Sequence, residues 1–388
     1  MHAELIAIGS ELVLGEIVDT NSAHIARTLR GIGLSVERST TIADDLPRIT
    51  ALIREAAART PVVITTGGLG PTVDDPTRAA VADAFDRALD FHPELWQQIK
   101  ERFGRFGRIP GENNKQQALI PAGGTPVENP VGTAPAFWVE HQAAYGPGVV
   151  ISLPGVPREM EFLLEHRVLP YLREHFGLTG CIKARVLRTI GMGESAIDQQ
   201  IGELEKLANP TVGLAAHAGN VDIRITATAA SEADADALIA PIEAQVRAAL
   251  ADHIYGVDGA TIDQVVGQLL TTRELRLGVA EAGTAGNLNA RLAVLPTSAS
   301  FYAGASPLSA DEDLGAAAER VRAAQQAHVG VAVRVFQGAG PMDPRGLEWA
   351  VSDAAGTVTQ RSGYGGPPAS LPVWASTAIL NLLWRRLR

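Results

Sequence analysis

The chain has 388 residues, with 33 Lys and Arg against 43 Asp and Glu, a net charge of −10 and one cysteine, Cys181. That length predicts two or three domains, each able to bury its own core. The acidic balance argues against direct nucleic-acid binding, and the lone cysteine excludes an internal disulfide or a cysteine-rich metal centre. No apolar leader and no apolar run of about 18 residues stand in the sequence, so a cytoplasmic protein without membrane association is expected.

Residues 1–172 read as an alternating β/α domain. An apolar strand over Glu4–Ile8 ends at Gly9-Ser10-Glu11. Gly15-Glu16-Ile17-Val18-Asp19-Thr20-Asn21 leads into a helix over residues 21–30, capped by Thr20 or Asn21. A second strand over residues 34–38 and a second amphipathic helix over 46–58 follow. Pro61–Thr65 is a short apolar run bounded by turn residues, the mark of a buried parallel strand. It empties into Thr66-Gly67-Gly68-Leu69-Gly70-Pro71-Thr72-Val73-Asp74-Asp75, and a helix starts near Pro76. Such alternation implies a mostly parallel sheet with its ligand crevice at the carboxyl ends of the strands.

Several groups suit a phosphorylated ligand in that crevice. The bare amides around Gly67, Gly68 and Gly70 allow close phosphate approach, as do Gly9 and Ser10 after the first strand. Asp74 and Asp75, with Asp19 from the earlier loop, are hard oxygen donors for a divalent cation that bridges phosphates. Thr66, Thr72 and Asn21 add hydroxyl and amide groups. The cluster Glu112-Asn113-Asn114-Lys115-Gln116-Gln117 offers an amide in Asn114 and a phosphate-neutralising cation in Lys115. The turn Leu153-Pro154-Gly155-Val156-Pro157-Arg158-Glu159 brings Gly155 and a guanidinium able to grip phosphate. Plainer readings stand beside these: solvated aspartates in an ordinary strand-to-helix connection, Asp19 as a helix cap, Lys115 in solvent, Arg158 paired with Glu159 or Glu161.

Residues 181–257 change pattern. A strand over residues 183–190, Gly191-Met192-Gly193-Glu194-Ser195, a helix through Ile197 and Ile201, strands near 212–216 and 221–228, and an Ala-rich helix over 232–252 make a small α+β unit. Residues 260–388 begin with a helix over 262–270 and a strand over 275–280 that enters Glu281-Ala282-Gly283-Thr284-Ala285-Gly286. A helix through Leu288 and Leu292, another over 316–327 and a closing helix over 374–387 complete the lobe.

Ile6–Leu12, Gly15–Asn21, Thr66–Asp75, Glu112–Gln116 and Pro154–Pro157 occur in the order and form that resemble the opening of the competence/damage-inducible CinA family. The resemblance implies an α/β, molybdopterin-binding-like first domain. It further implies metal-dependent hydrolysis of ADP-ribose to AMP and ribose 5-phosphate, a place in NAD metabolism and a homodimer. A competence or DNA-recombination protein is an implied partner, in DNA uptake or the DNA-damage response. On that reading Asp19, Asp74 and Asp75 hold the metal, Glu11 is a further ligand or base, and Lys115 stabilises the leaving phosphate. Replacing Asp75 by Asn is expected to stop hydrolysis and leave the fold intact. Molybdopterin binding without hydrolysis, or a nucleotide-binding scaffold with little turnover, remain alternatives.

The middle unit resembles the KH-like linker of the same family, where a spacer or dimer-contact role is favoured over RNA binding. The last lobe resembles the family's amidohydrolase domain, which deamidates nicotinamide mononucleotide. There the turn reads Glu-Ser-Cys-Thr-Gly-Gly and its serine is the nucleophile. Here Ala282 takes that place and Gly283 the cysteine's, between Glu281 and Thr284. Alanine has no nucleophilic atom, so a lobe that keeps its fold without this activity is expected. Phe336–Pro341 also loses the threonine of the family's second turn.

Overall fold

Strands β1 (His2–Ile8), β2 (Ser35–Ile42) and β3 (Val62–Thr66) alternate with α1 (Ser10–Val13), α2 (Thr20–Arg30) and α3 (Leu46–Arg59) in the computed structural model, which describes residues 1–338, 340 and 343–388. After α4 (Thr77–Ala84) come β4 (Leu89–Phe91), α5 (Pro93–Gly104), β5 (Leu119–Pro121), β6 (Thr125–Val127), β7 (Ala136–Ala143), β8 (Gly146–Leu153), α6 (Pro157–Leu163) and α7 (Leu169–Phe176). The main sheet has the order β2-β1-β3-β8-β7-β6. Its first four strands run parallel, β7 pairs antiparallel with β8, and β6 pairs antiparallel with β7 and so runs with the first four.

Alternation along the central strands divides the core in two. Ile6, Val63 and Val150 face α3, α4 and α5 through Ile49, Ile53, Val81 and Leu95. Leu5, Ile64 and Ile151 face α2, α6 and α7 through Ile25, Leu29, Met160 and Leu172. Helices on both faces explain why these strands read as unbroken apolar runs. Register places Ile8 beside Ile42, Ala7 beside Thr66, and Thr66 beside Leu153. The carboxyl ends of β1, β2, β3 and β8 therefore reach one rim.

Two expectations are corrected here. The second strand runs to Ile42, because its exposed edge position tolerates Arg38-Ser39-Thr40-Thr41. The helix over 21–30 is capped by Asp19, whose carboxylate accepts the Ser22 N–H, and not by Thr20 or Asn21.

Two compact units result, one of Met1–Lys183 with Thr228–Asp236, the other of Ala184–Ala227 with Ala237–Arg388. A second sheet, β10-β11-β9-β12, comes from β9 (Cys181–Ile190), β10 (Thr211–Ala216), β11 (Asn220–Ala229) and β12 (Ile254–Val257). It is accompanied by α8 (Glu194–Glu205) and α9 (Glu232–Leu250).

The last lobe is built on the sheet β14-β13-β15-β16-β17, with β13 (Leu277–Ala282), β14 (Tyr302–Pro307), β15 (Val329–Gln337), β16 (Arg345–Asp353) and β17 (Gly356–Gly363). Its helices are α10 (Ile262–Thr272), α11 (Asn287–Ala293), α12 (Ser298–Phe301), α13 (Leu314–Ala324) and α14 (Leu371–Leu387). Val279, Val331 and Val351 pack with residues of α10, α11 and α14, while Ala280, Ala332 and Ala350 pack with α13. The strand expected over 275–280 starts and ends two residues later, so Glu281 and Ala282 belong to its last turn of pleat.

Candidate functional site

At the rim of the first sheet, glycine geometry fixes the loop after β3. Gly67 has φ +102°, and a Cβ there would lie 2.1 Å from the Ile8 carbonyl oxygen. Its N–H donates to Leu153 O at 3.1 Å, so one residue draws together the ends of β1, β3 and β8. Gly68 has φ +61°, and a Cβ would lie 2.3 Å from Thr77 Oγ1, which donates to Gly67 O at 2.8 Å.

Asp75 closes the same loop on itself. Its Oδ1 accepts the Gly70 N–H at 2.8 Å, and its Oδ2 accepts the Thr72 N–H at 2.8 Å and the Thr72 hydroxyl at 2.6 Å. Behind it the buried Arg78 donates to Leu69 O at 2.9 Å. Burial pushes Arg78 down to about 10 while the charge of Asp75 opposes the shift, so it stays cationic at neutral pH.

Other loops are stitched to this one. Asn21 Nδ2 donates to Thr66 Oγ1 at 3.1 Å and to Gly155 O at 2.8 Å. Ser10 donates through its N–H and hydroxyl to Asp44 Oδ2 at 2.8 and 2.9 Å. The result is a cavity of about 580 Å³ lined by Gly9, Glu11, Asp19, Asn21, Thr66, Gly67, Gly68, Gly70, Asp74, Asp75 and Gly155. Eleven positions singled out in sequence thus meet in one place.

Five others do not line it. The Ser10 side chain is engaged by Asp44 and Thr72 by Asp75. Asn114 is buried and bonded to Gln117 at 3.1 Å. Lys115 forms an exposed ion pair with Glu112 at 2.6 Å. Arg158 is exposed on the first turn of α6, about 100° round the helix from Glu159, which does line the cavity.

Sequence reasoning missed Asp44, Thr133 and Glu159 in that lining, while Gln117 enters it from the polar cluster of residues 112–117. Asp44 was legible in principle, since a strand ending at Ile42 puts it at a strand's carboxyl end. Glu159 is positioned from several sides. Asn129 Nδ2 donates to it at 2.6 Å, and its carboxyl lies where a Cβ on Gly132 would stand, 1.9 Å away. Burial pushes its carboxyl above the usual range, opposed by the hydrogen bonds of Asn129 and Ala134 and the charge of Arg102.

The lining holds six carboxylates, those of Glu11, Asp19, Asp44, Asp74, Asp75 and Glu159, and no Lys or Arg among the described residues. No three Asp, Glu, His or Cys side chains gather there, or elsewhere among the described residues, as a ready-made metal cage. Asp75 has both oxygens engaged in the loop, a bracing task beside the metal-holding one expected of it. Asp19 uses only Oδ1, on Ser22. All-oxygen donors with one or two open carboxylates suit a hard divalent cation that takes its remaining ligands from phosphates and water.

In the second unit, β13 delivers Glu281 and Ala282 to a turn where Gly283 has φ +75°. A Cβ on Gly283 would lie 2.9 Å from Val335 Cβ and 3.1 Å from Val335 O. The buried Thr284 donates its hydroxyl to Glu281 Oε2, and Glu281 Oε1 accepts the Asn289 N–H at 3.0 Å. Thr284 is therefore tied up as a brace. The second turn, at Phe336–Pro341, falls partly outside the described residues.

The family model described as a probable molybdopterin binding domain matches residues 4–174, and that of the damage-inducible protein CinA KH domain matches residues 184–256. A putative competence-damage inducible protein of Moorella thermoacetica is 34% identical over 414 residues, covering 100% of this chain and 99% of its own length. The chain belongs to the CinA family. A CinA-like protein of Parasynechococcus marenigrum is 40% identical over 301 residues, 78% of this chain and 71% of that protein. A solved CinA structure from Thermoplasma acidophilum is 35% identical, covers 44% of this chain and 96% of that one, and has a TM-score of 0.39. This CinA-family chain accordingly pairs a molybdopterin-binding-like α/β domain with a KH-like domain. No helix among the described residues is long and apolar enough to cross a membrane.

Proposed function

We propose that the first unit hydrolyses a nucleoside diphosphate sugar of the ADP-ribose type to AMP and ribose 5-phosphate, with a divalent cation. The observation that carries this reading is the glycine-walled cavity with six carboxylates and no cationic side chain in its lining. Naked diphosphate would be repelled by such walls; a diphosphate that brings its own cation would be attracted. Asp74 and the open oxygen of Asp19 are the proposed metal-holding groups. A divalent cation bound there would neutralise phosphate oxygens and acidify a water.

The protein's own groups have separate tasks. The amides of Gly68 and Leu69 are the ones that face the leaving phosphate on this reading, since those of Gly67 and Gly70 are engaged by Leu153 O and Asp75, and Asp75 keeps that loop in shape. Glu11 accepts the proton of the attacking water. Glu159, whose carboxyl burial pushes upward against the hydrogen bonds of Asn129 and Ala134, is the proposed general acid toward the leaving phosphate oxygen. The degenerate turn at Ala282 supports a second proposal, that the last lobe does not deamidate nicotinamide mononucleotide. A cytoplasmic homodimer working beside DNA-uptake or repair proteins is the proposed setting, as the names of the relatives suggest.

The test is AMP release from ADP-ribose by the purified protein with Mg²⁺ or Mn²⁺ and after chelation. Metal-dependent release that falls at least a hundredfold in Glu11→Gln and Asp74→Asn is expected. Tight ADP-ribose or molybdopterin binding with no release would replace hydrolysis by a binding role.

A further inference from the structure

Inside the second unit lies a cavity of about 540 Å³ that the first site does not involve. Its walls are two turns of the KH-like domain, Gly191–Glu194 after β9 and Ala216–Asn220 between β10 and β11, set against one stripe of α14. Trp374, Ala378 and Asn381 form that stripe at helical spacing, and Tyr364 joins them from the connection after β17.

The close approach of turns and helix depends on glycine. Gly191 has φ +76°, and a Cβ there would lie 2.6 Å from Asn381 Nδ2. Gly219 has φ +97°, and a Cβ would lie 2.9 Å from Thr377 Cγ2.

The polar and aromatic groups around this space are specific. Tyr364 and Trp374 have ring centroids 4.7 Å apart at 34° and are both partly exposed, a platform on which another flat ring can stack. Asn381 Oδ1 accepts from Arg385 Nε at 3.2 Å, which fixes the amide and leaves Nδ2 as a donor. On the opposite turn His217 is oriented by Asp222, Nε2 to Oδ2 at 3.0 Å, and Asp222 is itself paired with Arg188.

We propose that this cavity binds the flat heterocycle of a nucleoside, stacked on Trp374 and Tyr364 and hydrogen-bonded at its edge by Asn381 and His217. The size is that of a small-molecule pocket. Glu194 is the carboxylate in its lining, which holds no Lys or Arg among the described residues, so an unphosphorylated nucleoside is favoured over a nucleotide.

Saturation-transfer NMR and calorimetry on the full chain with adenosine, guanosine, cytidine and uridine test this. At least one nucleoside is expected to bind saturably below 1 mM (order-of-magnitude scale for a single stacked base). Trp374→Ala and Asn381→Ala should each weaken it at least tenfold, with unchanged melting temperature in at least one of them. Glu11→Gln, in the other cavity, should leave it unchanged. No saturable binding by any of the four, or binding insensitive to both second-unit variants, overturns the proposal. Binding lost only in Glu11→Gln would assign the nucleoside to the first cavity and also overturn it.

Discussion

Asp75→Asn separates a structural task from a chemical one at the first site. Asp75 accepts three hydrogen bonds, from Gly70 N, Thr72 N and Thr72 Oγ1, at 2.6 to 2.8 Å. An asparagine keeps one acceptor oxygen and turns an N–H₂ toward whichever donors it abandons. Bonds to a charged acceptor contribute about 1.5–3 kcal/mol each, and at this half-buried position the lower end applies. With its oxygen at the Oδ2 place the asparagine keeps both Thr72 bonds and loses that of Gly70, and the lost bond together with the unmet Gly70 N–H costs about 3 kcal/mol. The loss of the charge opposing desolvation of Arg78 adds to that. For a domain of this size about 3 kcal/mol corresponds to a melting temperature lower by roughly 6–12 °C. Thermal melts followed by circular dichroism, with amide exchange at Gly70 and Thr72, provide the assay. A variant that melts with the wild type and keeps both amides protected would refute the bracing role and leave Asp75 its metal-holding task alone.

Three further outcomes are expected. Gly67→Ala places a methyl 2.1 Å from the Ile8 carbonyl at φ +102°, where backbone must move, and should cost about 3 kcal/mol or more, read as a fall in denaturation midpoint. Glu4 is buried, which raises its pKa, but bidentate bonds from Arg59 at 2.6 and 2.7 Å and one from Thr60 outweigh burial and leave it lowered. Its contribution is therefore complete above the ordinary glutamate range and lost as pH falls through the lowered value. Glu4→Gln should be less stable at neutral pH and show a shallower loss in acid melts. Gly283→Cys, which installs the family's residue, meets Val335 at φ +75° and should cost about 2 kcal/mol by chemical denaturation; an unchanged midpoint would show that the turn still accommodates it.

Part of the first sheet could be read directly, because β1 and β3 are buried on both faces and only a run of apolar residues survives there. The exposed edge strand β2 carries no such signal, so its polar second half went unread and Asp44 with it. β7 and β8 went unassigned because, in the stretch 86–153, the pattern mixes one-sided and two-sided burial.

The amino-acid order alone determined the family, the α/β plan and the glycine turns, since backbone conformations open only to glycine leave a mark at single positions. Packing decided which way each polar side chain points. Arg158 and Glu159 are neighbours in sequence, yet the helical turn sends one outward and the other into the cavity. Lys115 finds Glu112 before any phosphate, and Asp75 finds its own loop. Such choices depend on which partners lie within about 3 Å after folding, a distance that sequence spacing does not encode.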